Sequence, residues 1–145
     1  MKMILEIPEP TPSLNQFRRH YMRLYRLQTH WDKLVREAVE RWVYDDAGTG
    51  VVTAAQVVAR TEALIPTGRR RVTVIRSSPR ILDGDNFWGG TKVAIDALRL
   101  RRAKRGGYHG NHLIEDDALA NLEHGEHLQV KGLPGTVIIV EAIKG

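Results

Sequence analysis

Cysteine is absent from this chain of 145 residues. Its absence excludes a disulfide scaffold, a cysteine nucleophile and every zinc or iron–sulfur site that is built on thiolates. It also suits a reducing compartment. A domain of this length buries roughly 68–70% of the surface that its unfolded chain exposes, so its stability needs neither a disulfide nor a structural metal. We therefore expect one domain over residues 1–145.

Long apolar runs are absent as well. No stretch approaches the roughly 18 residues that span a bilayer. The opening residues 1–6 become polar too early for a signal peptide. We therefore expect no membrane partner and a cytoplasmic location.

Acidic residues are fewer than basic ones, since 17 Asp and Glu against 22 Lys and Arg give a net charge of +5. A basic balance on a small domain favours a polyanionic partner. Each arginine run taken alone is typical of solvated surface. The runs nevertheless flank one acidic cluster, which predicts contacts with DNA. The candidate DNA-binding residues are Arg18, Arg19, Arg69, Arg70, Arg101 and Arg102.

Hydrophobic periodicity predicts an α+β fold, with helices packed on a mostly antiparallel or mixed sheet. Trp31 and Trp42 stand at helical spacing and are expected in the core. Phe87 and Trp88 are also expected to pack there, with stacking on an unpaired base as the alternative. The expected elements are a strand over 2–7, a long helix capped by Ser13 and ending near 45–46, a helix from about 54, a strand over 71–76, a helix over 92–100, a flexible glycine-rich loop over 106–110, and a hairpin of strands 126–131 and 136–143.

Acidic side chains are concentrated in the second half of the chain. Asp83 and Asp85 are two residues apart, so in an extended backbone their carboxylates would converge. The pair Asp116-Asp117 follows a short apolar step that could return it to the first cluster. Because clustered carboxylates repel one another, a hard divalent cation stabilises them. The sequence therefore predicts a Mg²⁺ site, with Mn²⁺ as a substitute.

Simpler interpretations compete with this one. An EF-hand loop beginning at Asp83 fails, because Trp88 stands where glycine is needed and Ala94 where glutamate is needed. The Asp-Gly-Asp-Asn segment alone is typical of a turn. Lys92 and Asp96, four residues apart on one helix face, are typical of a surface pair. Together, however, several acids, a lysine and nearby arginines are what metal-assisted phosphodiester cleavage requires.

The order of four motifs resembles a known family. The motifs are Pro10-Thr11-Pro12-Ser13-Leu14-Asn15, then Asp83-x-Asp85-Asn86, then Lys92-x-x-x-Asp96-Ala97-Leu98, then Asp116-Asp117. This series is similar to that of the RusA-type Holliday junction resolvases, which are endodeoxyribonucleases of bacteria and their phages. The resemblance spans most of the chain and leaves out residues 51–64. The connection over residues 87–91 is longer than is usual in that family.

The resemblance implies a site and a mechanism. It implies that Asp83, Asp85 and Asp117 hold the metal ion and that Lys92 is the accompanying catalytic cation. Asp96 and Asp116 match acidic positions with supporting roles. The family also implies a homodimer, whose two-fold symmetry matches that of a four-way DNA junction. The expected function is therefore Mg²⁺-dependent resolution of such junctions in DNA recombination and repair.

Three alternatives stay open at this point. The same metal site would serve a nuclease that acts on flaps or replication forks. A basic DNA-binding protein without catalysis would need only the arginines. A zinc site is the third alternative, since four nitrogen ligands suffice for a closed site. Its candidate ligands are His109, His112, His124 and His127.

Overall fold

The structure is a computed structural model that describes residues 2–16, 21–45, 52–66, 68–118 and 120–143. Helices pack on a mixed five-stranded sheet, which confirms the expected α+β class. The helices are α1 (Tyr21–Tyr44), α2 (Ala54–Ala63) and α3 (Gly84–Asp96), with a short 3₁₀ turn at Leu14–Gln16 before α1. The strands are β1 (Lys2–Ile7), β2 (Arg70–Ser78), β3 (Arg101–Arg102), β4 (Tyr108–His109), β5 (Leu122–His124), β6 (Leu128–Lys131) and β7 (Gly135–Ala142).

The centre of the sheet is β2, which pairs with neighbours on both sides. On one side it pairs antiparallel with β7, which in turn pairs antiparallel with β1. On the other side it pairs in parallel with β5 and then with β6. The expected hairpin of 126–131 and 136–143 is therefore wrong, because β2 lies between β6 and β7. Alternating hydrophobicity predicts that a segment is a strand, but it does not specify the partner strand.

The core lies between the sheet and the two longer helices. The buried residues of α1 include Trp31, Leu34, Val35 and Ala38, whose spacing of one, three and four residues places them on one helix face. Trp31 is 1% exposed, which confirms its predicted place in the core. Trp42 is half-buried against the same core. No helix among the described residues is long and apolar enough to cross a bilayer.

The starts of α1 and α2 agree with the sequence pattern to different degrees. Ser13 does not begin a described α-helix, since its carbonyl oxygen accepts from the Gln16 N–H at 2.9 Å in the 3₁₀ turn. Helix α2 begins at Ala54 as predicted. Its cap is Thr53, whose hydroxyl accepts from the Gln56 N–H at 3.2 Å, while the Gln56 side chain accepts from the Thr53 N–H at 2.9 Å. This reciprocal pair satisfies two backbone donors that the helix itself cannot satisfy.

Helix α3 begins eight residues earlier than the sequence pattern indicates. Asp83 is its N-cap, so the extended backbone expected for residues 83–85 is wrong. The early turns contain the pair Gly89-Gly90, which has no apolar side chain and so hides the helical periodicity. These glycines permit a close contact: a Cβ at Gly90 would lie 1.7 Å from the Pro12 carbonyl oxygen.

The segment predicted to be a flexible loop forms a small hairpin instead. Strands β3 and β4 pair antiparallel, with Arg101 opposite His109. The turn between them places Gly106 and Gly107 at φ of 88° and 77°. Glycine adopts this left-handed conformation without the steric cost that other residues incur.

Candidate functional site

Two segments about 70 residues apart in sequence meet at the N-terminal end of α3. The Ser13 hydroxyl donates to Asn86 Oδ1 at 3.0 Å, and the Asn15 N–H donates to the same oxygen at 3.1 Å. The Asn86 Nδ2 group donates to Asp83 Oδ2 at 2.9 Å. The Asn86 amide therefore connects the 13–15 segment to the cap of α3.

A cleft of about 650 Å³ lies at this junction, between residues 9–16 and residues 76–86. The buried Arg76 joins its two walls, since Nε donates to the Thr11 carbonyl at 2.9 Å and Nη1 to the Arg80 carbonyl at 3.0 Å. Burial lowers the pKa of Arg76, but a guanidinium stays charged in proteins. Arg76 is thus a buried cation that holds the two walls of the cleft together.

Arg80 is a candidate site residue that the sequence patterns did not single out. It lines the cleft, is exposed, and its guanidinium contacts no described residue by hydrogen bond or ion pair. The signal available in the sequence is its position, two residues after β2 and three before Asp83. Arg80 can therefore offer its full set of donors to an anion in the cleft.

Asp83 and Asp85 both lie at the first turn of α3. Asp83 Oδ1 accepts from the Asn86 N–H at 3.0 Å, and this bond, followed by that from the Asn86 side chain, lowers the pKa of Asp83. The side chain of Asp85 is exposed and contacts no described residue by hydrogen bond or ion pair. The positive end of the helix dipole favours negative charge at this turn.

Asp116 and Asp117 lie at the other end of α3. The N–H groups of Leu113 and Ile114 donate to the Leu98 carbonyl at 2.8 and 3.2 Å, which fixes the preceding loop beyond the helix C-terminus. The last residue of α3, Asp96, is thirteen residues after Asp83, about 20 Å along the helix. Within the described residues no group of three or more His, Asp or Glu side chains could hold a metal ion. The chain therefore does not bring Asp117 to Asp83 and Asp85 as expected.

Asp116 has a local structural role. Its Oδ1 accepts from the Asn121 side chain at 3.1 Å and from the Ala118 N–H at 2.8 Å, and these bonds lower its pKa. The Asn121 carbonyl in turn accepts from the Arg70 N–H at 2.9 Å, at the first residue of β2. Asp116 therefore orders the turn that leads into β5.

Lys92 and Asp96 continue along α3 from Asp85. Asp85, Trp88 and Lys92 are spaced by three and four residues and form one exposed stripe. Lys92 is seven residues from Asp85, about 10 Å along the helix axis. Asp96 is paired with Arg99 at 3.3 Å, so it acts as a surface ion pair at the C-terminal end of the helix.

Two of the arginines expected to bind DNA are structural. Arg70 is buried, and its Nη2 donates to the carbonyls of Ala63 and Ile65 at 2.8 and 2.9 Å. Its assignment as a DNA contact is therefore wrong, because its donors hold the end of α2. Arg101 is partly buried and its Nη2 is paired with Asp32 at 2.6 Å, which fixes the β3–β4 hairpin to α1.

The remaining candidate arginines differ in their surroundings. Arg69 lies 3.8 Å from a carboxylate oxygen of Glu123. Arg102 is exposed on the hairpin. Arg18 and Arg19 lie outside the described residues.

The zinc alternative finds no support in the described histidines. His127 Nδ1 accepts from the Val74 N–H at 3.0 Å, so the ring proton must be on Nε2, which lies 3.0 Å from His124 Nδ1. Both nitrogens of His127 are thus engaged, and neither offers a lone pair to a metal. His109 lies against Tyr25, and His112 lies 3.8 Å from Glu115.

Trp88 packs on the histidine pair rather than in the core. Its ring centroid lies 5.4 Å from that of His124 and 6.0 Å from that of His127. Trp88 is 47% exposed, so the prediction of core packing is wrong for this residue. The reason is its place on the exposed stripe of α3, opposite the side of that helix that carries the buried Gly90 and Ala94.

His127 should make the stability of the fold depend on pH. Burial, followed by the charge of His124, lowers the pKa of His127 from 6.5 to about 4. The unfolded chain therefore takes up a proton near pH 6.5, whereas the folded chain resists it until about pH 4. The free energy of unfolding should be undiminished above pH 6.5 and should fall by about 2 kcal/mol as the pH drops to 4. This loss of stability is smaller than the full pKa shift of His127 implies, because the ring is partly solvated.

Urea unfolding over this pH range tests the prediction with a matched pair of variants. His127→Asn keeps an acceptor for the Val74 N–H and should flatten the pH dependence. His112→Asn replaces an exposed histidine and should leave it unchanged. Equal pH dependence in the two variants would contradict the role given to His127.

Comparison of the chain with protein-family models, curated proteins and solved structures found no match. The cleft at the start of α3 combines the carboxylates of Glu9 and Asp83, the exposed Arg80 and an asparagine that ties the two walls together. Asp85 is exposed on the adjoining first turn of α3.

Proposed function

We propose that this protein is an endodeoxyribonuclease that cleaves branched DNA, with four-way junctions of recombination and repair as its substrate. The observation that supports it most is the contact between Ser13, Asn15 and Asn86. Two of the motifs on which the family resemblance rests are far apart in sequence, yet they meet at one cleft. Two unrelated surface segments would not be expected to meet at one cleft.

Mg²⁺ is the proposed ion, with Mn²⁺ as a substitute. Mg²⁺ is usually bound by one or two carboxylates together with phosphates of the substrate. Asp83 and Asp85 fit this arrangement: the oxygens of Asp83 keep lone pairs beyond the bonds from Asn86, and Asp85 is exposed. Such an ion, when bound, supplies an activated water and neutralises charge on the scissile phosphate.

The chain's own cations would bind and orient the phosphate backbone. Arg80 on the cleft wall can bind two phosphate oxygens at once through its planar guanidinium. Lys92 would contact the backbone further along the exposed stripe of α3. Arg102 would extend the contact on the hairpin. Because these contacts ignore base identity, the substrate would be chosen by its shape.

A homodimer in the cytoplasm is part of the proposal. A four-way junction has approximate two-fold symmetry, and a two-fold dimer presents one cleft to each of two opposed strands. The absence of cysteine suits the reducing conditions of that compartment.

A DNA-binding protein without catalysis is the second candidate. The observation that favours it is the position of Asp117, at the far end of α3 from Asp83 and Asp85. In that case Asp83 would only cap the helix, and Asp85 would only place negative charge at its first turn. A flap or fork nuclease would use the same cleft as a junction nuclease.

Cleavage assays on a panel of substrates separate these functions. Synthetic four-way junction, flap, fork and linear duplex are each incubated with the protein, with Mg²⁺ or with EDTA. The proposal expects junction products with Mg²⁺ and none with EDTA. Preferred cleavage of flaps or forks would replace the junction as substrate, and salt-sensitive binding with no products from any substrate would favour the non-catalytic protein.

A further inference from the structure

A second groove lies between the N-terminal half of α1 and the β3–β4 hairpin. Its volume is about 530 Å³, and it shares no lining residue with the cleft at α3. Its walls carry cationic and aromatic side chains, among them Tyr25, Arg26, Lys33, Arg36, Tyr108 and His109.

The two facing segments are free of acidic residues. Residues 21–31 and 101–110 contain six Arg and Lys and neither Asp nor Glu. The acid that lines the groove, Asp32, is buried and already paired with Arg101. Its negative charge is therefore compensated inside the protein.

Two further acids lie close to the groove. Glu9 pairs with His30 at 2.7 Å and Glu37 with Lys33 at 3.8 Å. Arg26 and Arg36 are exposed and contact no described residue by hydrogen bond or ion pair. The groove thus has an excess of positive charge.

Aromatic rings are exposed beside these cations. Tyr108 is 67% exposed and Tyr25 48% exposed. The Tyr25 ring meets that of His109 edge-on, with centroids 6.3 Å apart, so the two sides of the groove are in contact. Basic grooves with exposed aromatic rings are the arrangement that binds single-stranded nucleic acids, because the rings stack on bases and the cations follow the phosphates.

The hairpin is fixed to α1 before any ligand binds. Besides the pair between Arg101 and Asp32, the Asn111 side chain donates to the carbonyls of Asp32 and Ala97, each at 3.0 Å. The groove is therefore preformed, and a ligand need not order its walls.

We propose that this groove binds single-stranded DNA, with Tyr108 stacking on a base and with Arg26 and Arg36 contacting phosphates. The inference relies on the proposed function only for the choice of DNA as the polyanion. A strand whose base pairs open at the branch point would be held here while the α3 cleft acts on the backbone elsewhere.

Fluorescence anisotropy with a labelled oligodeoxythymidine, in EDTA and over a series of salt concentrations, tests the groove without cleavage. Tyr108→Ala should weaken binding about 5-fold or more, with the salt dependence unchanged. The double variant Arg26→Ala/Arg36→Ala should reduce the slope of log K against log salt by about 1.4, because each single-strand phosphate that the protein no longer neutralises lowers the slope by roughly 0.7.

Three controls keep the result interpretable. Tyr108→Phe retains the ring and should bind like the parent, which separates stacking from a folding defect. Lys131→Ala removes an exposed cation at the far end of β6 and should leave both affinity and slope unchanged. A duplex of the same length should be insensitive to Tyr108→Ala, since its bases are already stacked.

Parent-like binding by both the Tyr108→Ala and the double arginine variant would overturn the proposal. The proposal would also be overturned if only the double arginine variant lost affinity and lost it equally for duplex and single strand. That result would indicate a patch that recognises the phosphate backbone alone. Because all measurements are made in EDTA, a failure of the nuclease proposal would not alter these outcomes.

Discussion

Replacing Asp85 with asparagine is expected to reduce junction cleavage in Mg²⁺ at least about 100-fold, the scale seen when a group that stabilises charge in a transition state is removed. Asp85 is an exposed carboxylate of the first turn of α3 and contacts no described residue by hydrogen bond or ion pair, so its substitution removes a candidate ion ligand without breaking a bond of the fold. Junction binding should be retained, because losing a negative charge lowers the repulsion of phosphates.

The cleavage rate and the junction affinity of Asp85→Asn are measured side by side with those of a control. Glu40→Gln removes an exposed carboxylate from α1 and should cleave at the parent rate. Asp83→Asn adds a second comparison, because asparagine is as good an N-cap as aspartate and keeps the helix start intact. Asp83→Asn should bind junctions in EDTA at least as tightly as the parent. Full cleavage by Asp85→Asn would remove that residue from the site.

Gly90→Ala is expected to lower the free energy of unfolding by about 3 kcal/mol or more, at the upper end of overpacking effects. The added Cβ would lie 1.7 Å from the Pro12 carbonyl oxygen and 2.9 Å from its carbon. Both atoms belong to the backbone, so the clash cannot be relieved by a change of rotamer. Either α3 or the 10–15 segment must move, and the hydrogen bonds of Ser13 and Asn15 with Asn86 should break as it does.

Gly84→Ala is the matched control for this prediction, since it changes the same residue type in the same helix. A Cβ at Gly84 meets no atom within 4 Å. Removing the flexibility of a glycine where alanine fits stabilises a protein by about 0.4–1 kcal/mol. Urea unfolding of the two variants should therefore give shifts of opposite sign. Equal midpoints would show that the 10–15 segment does not pack on Gly90 as described.

Local patterns predict the elements that depend on neighbouring residues. The start of helix α2 is predictable because Thr53 and Gln56 form a cap within four residues. The burial of Val72 and Val74 follows from alternation along β2 alone. Such features need no knowledge of the rest of the chain.

The sequence patterns do not predict which distant segments of the chain pair with each other. Segments 128–131 and 135–142 look like a hairpin because a glycine- and proline-containing turn joins them, yet each forms its ladder with β2. The site is affected in the same way. The short apolar step before Asp116-Asp117 suggests that the chain turns back, but it does not specify where the turn ends in space. It therefore predicts Asp117 beside Asp83, whereas the length of α3 separates the two residues.

The place of β7 between β1 and β2 has a consequence for how the protein is made. The first strand of the chain has β7 as its described ladder partner, and residues 2–7 pair with residues 136–141. During synthesis β1 therefore remains an unpaired, half-apolar segment until residues 136–141 have left the ribosome. Such long-range closure slows folding and leaves time for self-association, so yield during expression should be sensitive to temperature and to the supply of chaperones.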